Sequence, residues 1–168
     1  MTLAVTLAVV AVVLSAVAGY LNWVAGRHER LAARADAAWA ALDAQLVRRA
    51  AAAHSMGLSQ QDGALIAAAE AALAEPVSRR EEIENQLGRA LRRAILPEGP
   101  EETAPEPHVI ELREAAGRVH LARQFHNDAV RDLASLRRRR TARLLRLGRG
   151  DHSGPGRAYF EIDDTVAR

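Results

Sequence analysis

Residues 1–26, MTLAVTLAVVAVVLSAVAGYLNWVAG, contain no charged side chain and are apolar on every side of any helix they could form. A small domain cannot surround such a helix, so the stretch asks for lipid. About 20 apolar residues, at 1.5 Å rise each, cross a hydrocarbon core of roughly 30 Å. Residues 3–24 supply that run, and Tyr20 and Trp23 stand where an aromatic belt meets the headgroups. Arg27, Arg30 and Arg34 follow directly. Excess arginine on this flank predicts a cell-membrane, single-pass topology with an outside N-terminus and a cytoplasmic C-terminal domain. The competing reading is a cleaved secretory leader, because Ala16-Val17-Ala18 before Gly19 fits a small-residue cleavage pattern. Against it, the run lacks a basic n-region and stays apolar past Gly19 through Tyr20, Leu21, Trp23 and Val24.

The remaining chain reads as one all-α domain. Alanine, leucine, arginine and glutamate dominate, only 4% of residues are aromatic, and no run alternates Val, Ile and Thr with polar residues as a strand would. Cysteine is absent, which excludes disulfides, zinc thiolate sites and thiol nucleophiles. The net charge of +2 hides an acidic middle, residues 59–107, followed by a basic stretch, 108–149. That segregation suits packing of neighbouring helices as well as it suits an external partner.

From Arg27 to about residue 56, Leu31, Ala35, Trp39, Leu42, Leu46 and Ala53 recur at steps of three and four, the stripe of an amphipathic helix. No breaker separates it from the anchor, so one continuous rod is expected. Gly57 reads as its stop, and Ser59, with Asp62 three residues on, as the next N-cap. The second stripe is Leu65, Ala69, Leu73, Val77, Ile83, Leu87, Leu91 and Ala94. Pro76 interrupts it, and proline lacks the backbone donor and clashes with the preceding turn. A true break gives helices 60–75 and 78–96 in a four-helix bundle, whereas a kink gives three long helices. PEGPEETAPEP, 97–107, is a solvated loop. The third stripe, 108–147, is Leu112, Ala116, Val119, Ala122, Phe125, Ala129, Val130, Leu133 and Leu136. Residues 148–168 read as a Gly-rich flexible tail in which Tyr159, Phe160 and Ile162 are expected to dock back as a hydrophobic clip; a partner-binding motif is the alternative.

Three blocks now suggest a family: AWAALDAQLVRRA at 38–50, Glu84-Asn85-Gln86-Leu87 with Ala90-Leu91, and ARQFHNDAV at 122–130. Behind a single N-terminal anchor, and with Tyr159-Phe160-Glu161 near the end, they resemble the LemA family over nearly the whole chain. Ala51 and His54-Ser55 stand where that family usually has an acidic residue and a proline-asparagine pair, and His126 replaces the usual tyrosine before Asn127. The chain therefore resembles a divergent member. The resemblance implies an anchored antiparallel four-helix bundle, no known enzymatic activity, and association with other membrane or envelope proteins.

No catalytic, metal or cofactor constellation emerges. His28-Glu29 lacks a second histidine at helical spacing, and His120 and His126 are off the i, i+4 spacing that puts two ligands on one face. Glu81, Glu82 and Glu84 have no histidine at di-metal spacing and read as a solvated helix face. Asn85 and Asn127 lie beside apolar stripes although asparagine is an indifferent helix former, which suggests polar register locks between helices, with a binding role as the alternative. Arg48 and Arg49, near Asp43, are expected to pair with carboxylates of the acidic stretch.

The densest charge is Arg137, Arg138, Arg139, Arg140, Arg143, Arg146 and Arg149. A helix end whose dipole favours cations is the plain reading, and anionic lipid is the partner reading. Nucleic acid is disfavoured because neither a known binding fold nor interleaved aromatics accompany the charge. If Pro76 marks a hairpin, the last helix returns to the membrane and these arginines meet headgroups; if it marks a kink, they end far from it. The reading as a whole is a membrane-anchored antiparallel up-and-down bundle acting as a non-enzymatic interaction scaffold, with an exported bundle as the alternative.

Overall fold

Four helices make up nearly all of the computed structural model, which describes residues 2–74, 79–95, 107–137 and 157–163. They are α1 (Thr2–Gln60), α2 (Gly63–Ala74), α3 (Arg80–Ile95) and α4 (Pro107–Arg137), and no strand occurs among the described residues.

The apolar N-terminal run and the amphipathic stretch after it are one element. At 1.5 Å per residue, 59 residues make a rod of roughly 90 Å. None of residues 2–23 is buried, and by length and composition this part of α1 is able to cross a membrane. Two of its hydroxyls are satisfied within the helix: Thr6 donates to the carbonyl of Thr2 and Ser15 to that of Ala11, each at 2.9 Å. At the end of the apolar run Tyr20 and Trp23 stack with centroids 6.2 Å apart, and the Arg27 guanidinium lies 5.9 Å from the Trp23 ring centre. Val24 is the first buried residue, and the stripe then continues through Ala32, Ala35, Leu42, Leu46, Ala50, Ala53 and Met56.

Three apolar clusters run along α1. Ala32 and Ala35 meet Ala129 and Leu133; Leu42 and Leu46 meet Val119; Ala50, Ala53 and Met56 share a cluster with Leu112 and Ala115. Numbers that rise along α1 are met by numbers that fall along α4. Alanines at many of these contacts let the two backbones come close. Leu65, Ala69 and Ala72 of α2 and Ile83, Leu87 and Leu91 of α3 join the third cluster. α2 and α3 are thus separate helices that share one core. Pro76 itself lies outside the described residues. Each leucine held at zero exposure here, Leu42, Leu46, Leu65, Leu87, Leu91 and Leu112, contributes about 1.5–3 kcal/mol by leaving water.

The α1–α2 corner differs from the expected one. Gly57 does not end the helix, which continues to Gln60. The glycine is needed because α2 crosses here: a Cβ on Gly57 would stand 2.9 Å from Ile66 Cγ1 and 3.2 Å from the Ile66 nitrogen. The stop is a Schellman turn, in which the Asp62 N–H donates to the Gly57 carbonyl at 2.9 Å and Gln61 takes a left-handed φ of 56°. Nor is Ser59 the cap, since its hydroxyl donates back to the Met56 carbonyl at 2.8 Å. Asp62 caps α2, its Oδ1 accepting from the Ala64 and Leu65 N–H groups at 2.9 and 3.0 Å. A side chain in the left-handed region costs more than glycine does there. Gln61→Gly is therefore expected to stabilise the bundle by about 0.5–1 kcal/mol, read from the urea midpoint.

The third stripe needs one correction. Phe125 is 60% exposed, and His126 occupies the inward position. From Val119 the buried face continues at steps of seven and three, to His126 and then Ala129. Phe125 sits one residue off that register, about 100° round the helix. Leu73, expected in the second stripe, is likewise 43% exposed.

Candidate functional site

Two polar features lie inside this apolar frame, and they adjoin one another on α3. The first is a buried ion network. Arg49 of α1 and Glu84 of α3 are 1% and 0% exposed, and Arg49 Nη2 donates to Glu84 Oε2 at 2.7 Å. Arg80, one turn before Glu84, places Nε 3.2 Å from Glu84 Oε1 and Nη2 3.1 Å from Asp43 Oδ1. Burial pushes the Glu84 carboxyl above its ordinary range, while Arg49 and then Arg80 pull it back.

Of the two arginines expected to meet carboxylates of the acidic stretch, Arg49 contacts Glu84 while Arg48 is exposed; Asp43 contacts Arg80. The reading of Glu81, Glu82 and Glu84 as one solvated face fails at Glu84. It sits at position i+3 from Glu81, on the side of α3 that also carries Leu87 and Leu91.

The second feature is the seat of residues 157–163. Phe160 and Ile162 are buried while Tyr159, Glu161 and Asp163 are exposed, the period-two alternation of an extended strand. Asn127 grips its middle from both sides: Phe160 N–H donates to Asn127 Oδ1 at 2.9 Å, and Asn127 Nδ2 donates to the Phe160 carbonyl at 3.1 Å. Glu81 Oε1 accepts from the Glu161 N–H at 2.9 Å, and Asn85 Oδ1 from the Asp163 N–H at 2.8 Å. Gly88, one turn on from Asn85, lets the segment lie close, because a Cβ there would be 3.2 Å from the Asp163 carbonyl. Ion pairs hold both ends, Arg157 to Asp36 at 3.3 Å and Asp163 to Arg92 at 2.9 Å. The Trp39 ring meets His126 and Phe160 edge-on, each 5.4 Å away between centroids.

These contacts redefine two expectations. The hydrogen bonds of Asn85 and Asn127 go to the backbone of the C-terminal segment and not from helix to helix, so register-lock is not their role here. The hydrophobic clip docks through Phe160 and Ile162 only, since Tyr159 is 46% exposed. Arg137 closes α4, and Arg138, Arg139, Arg140, Arg143, Arg146 and Arg149 lie outside the described residues.

His126 is the titratable part of the seat. Its Nε2 is 2.9 Å from the Ala158 carbonyl, which only accepts, so that nitrogen carries the proton. Nδ1 is buried with no hydrogen-bond partner among the described residues. Burial lowers the His126 pKa below its ordinary value, opposed by the bond to Ala158. The unfolded or undocked chain therefore binds the proton more readily than the docked one. The stabilising contribution is complete above the ordinary imidazole pKa of about 6.5 and is lost as pH falls from there through the docked value. Acidification through that window is expected to loosen the segment, read as a red shift of Trp39 emission, and His126→Gln is expected to remove the transition.

Elsewhere, an open groove of about 860 Å³ between α2 and α3 is walled by Ala64, Ala67, Ala68 and Ala71 with Arg89 and Arg93 at its rim. Among the described residues no group of three His, Asp or Glu side chains is placed to hold a metal ion. Set against family models, curated proteins and solved structures, the chain finds no match.

Proposed function

We propose that the chain is a single-pass membrane protein whose α1 continues from the bilayer into an antiparallel up-and-down four-helix bundle, cytoplasmic and LemA-like, that serves as a non-enzymatic interaction scaffold at the cell envelope. The observation that carries this reading is the single unbroken α1, exposed and apolar over residues 2–23 and buried on one stripe after Val24. An apolar helix of that length left uncovered needs lipid around it, and the absence of a break fixes the bundle to the bilayer as a rod. The same continuity through Gly19 favours an anchor over a cleaved leader.

The test is alkaline carbonate extraction of membranes, followed by protease treatment from each side and in-cell crosslinking with identification of captured proteins. The chain is expected to stay with the membrane, to be cut only from the cytoplasmic side, and to capture an envelope or membrane protein. Release by carbonate, or a mature N-terminus at Gly19, would instead support the exported bundle.

Anionic lipid is the second partner of this reading. Leu31 on α1 and Leu136 on α4 line one small cleft together with Arg27, Asp132 and Ser135, so α4 ends at the height where α1 leaves the apolar run. The arginine-rich sequence after Leu136 then starts within a Debye length, about 8 Å, of the headgroups. Arginines at such a surface contribute about 1 kcal/mol each. Changing Arg137, Arg138, Arg139 and Arg140 to Gln in a chain lacking residues 1–26 is expected to abolish flotation with anionic vesicles; undiminished flotation would sink the lipid role.

A further inference from the structure

We infer that the groove between α2 and α3 is a docking site for an acidic amphipathic helix of a partner protein. Such a site gives the scaffold reading, on which it rests, a partner of definite chemistry. α2 carries one charged side chain, Glu70, which pairs with His54 at 3.5 Å and does not line the groove. The inner face of α2, with Leu65, Ala69 and Ala72, is buried in the core. Ala64, Ala67, Ala68 and Ala71 carry the apolar surface round to the groove, at the steps of three and four that make one helix face. A helix apolar all round is normally covered, yet Ala64 and Ala67 are exposed.

The opposite wall sets the charge of what fits. Gln86, Arg89 and Arg93 follow one another a turn apart along α3, and no carboxylate lines the groove. Arg92, the third arginine of this wall, is held by Asp163 at 2.9 Å, whereas Arg89 and Arg93 are exposed. The helix dipole accounts for cations in the last turn, Arg92 and Arg93, but not for Arg89 a turn earlier. Like charges at i and i+4 disfavour a helix, and an anionic side chain laid between them relieves that. The floor sets the shape. Methyl groups let a second helix approach closely, and about 860 Å³ takes several leucine-sized side chains. Helix-in-groove recognition uses anchors at i, i+3, i+4 and i+7, and glutamates flanking that stripe meet Arg89 and Arg93. Height excludes lipid as the occupant. The cluster that holds α2 begins on α1 at Ala50, and from Val24 to Ala50 the unbroken helix rises about 40 Å, far beyond a Debye length of about 8 Å.

The test uses the full-length chain in detergent micelles, with empty micelles as the blank, and fluorescein-labelled peptides of about 18 residues, long enough to hold a helix. One peptide carries leucines at i, i+3, i+4 and i+7 spacing flanked by glutamates; its twin carries lysines in place of the glutamates. Fluorescence anisotropy is expected to show saturable binding of the glutamate peptide and at least about tenfold weaker binding of the lysine peptide. Arg89→Glu/Arg93→Glu is expected to reverse that order. Ala67→Phe, which fills the floor and leaves the charges, is expected to weaken the glutamate peptide about tenfold with the urea midpoint unchanged. No binding, equal binding of the two peptides, or binding indifferent to both variants overturns the site. So does binding seen only after Glu98, Glu101, Glu102 and Glu106 are changed to Gln, which gives the groove to the chain's own acidic stretch. A dimer in sedimentation that Ala67→Phe dissociates gives it to a second copy, with the same consequence. Carbonate extraction reads the anchor separately. A chain released by carbonate that still binds the peptides in the expected order loses the anchor and keeps the groove; a retained chain that binds neither does the reverse.

Discussion

Glu84→Ala lowers the unfolding free energy of the bundle by about 3–5 kcal/mol, the cost of leaving a buried cation without its partner. The abandoned charge is Arg49, 1% exposed and held by Glu84 at 2.7 Å, with Arg80 deprived of one of its two carboxylates. Urea unfolding followed by helix circular dichroism measures it. The loss must come from desolvation and not from the cavity, because an Arg49→Met/Glu84→Leu double variant, with no buried charge in that pair, is expected to recover most of it. A double variant as unstable as the single one would show that packing around Glu84, and not its charge, holds α3 to α1.

The pH profile gives a second readout. Because burial raises the Glu84 pKa, the folded chain keeps this proton to higher pH than the unfolded chain. Its contribution is complete below the ordinary carboxyl value of about 4.3 and declines as pH rises through the raised one. That slope is opposite to the one His126 gives near neutrality, and it is absent in Glu84→Ala.

Periodicity made the helices legible, because apolar steps of three and four survive any rearrangement of partners. Leu42, Leu46, Leu65, Leu87, Leu91, Leu112 and Leu133 all lie where their stripes put them. The expected corner residues failed for a local reason. Gly57 and Ser59 satisfy stop and cap rules, yet those rules do not report that Ile66 of α2 crosses over Gly57, nor that Asp62 is better placed to cap. Charge was illegible for a related reason: Glu81 and Glu84 are three residues apart and only about 60° apart round the helix, so spacing alone does not say which of them turns inward. Residue type misled at Phe125 and His126, where the more apolar of two neighbours faces out. The inward histidine is explained only by the Ala158 carbonyl and Trp39 ring, 32 and 87 residues away in sequence. Asn85 and Asn127 were recognisable as misplaced in a helix, but their partner is an extended segment that no helical period announces.

That docked segment answers a shortage in the fold. The ion pairs of Arg80 and Glu84 put the start of α3 beside Asp43 and Arg49, so α3 covers α1 only from about that height onward. Nearer the apolar N-terminal run, the described helices offer α1 and α4 alone, joined by Ala32, Ala35, Ala129 and Leu133. Trp39 and His126 sit at the junction, and a seven-residue segment covers them where a longer α2–α3 hairpin would. Phe160 packs there with Leu42, Leu46 and Val119.

Phe160→Ala should therefore release residues 157–163 as a unit. Truncating a buried phenylalanine ordinarily costs about 3–5 kcal/mol, but a terminal segment that can undock limits the loss to its own docking free energy. Deleting residues 157–168 sets that limit, and the point variant is expected to reach it and go no further. In a Trp23→Phe background, which leaves Trp39 the sole indole, Phe160→Ala is expected to shift emission to the red. Amide protection at Phe160, Glu161 and Asp163 should collapse while that of Leu87 and Leu112 persists. Asn127→Ala, which removes two hydrogen bonds of about 1 kcal/mol each, should fall between wild type and Phe160→Ala. If Phe160→Ala costs more than the deletion, or strips protection from α3 as well, the segment is part of the bundle's cooperative core and does not undock on its own.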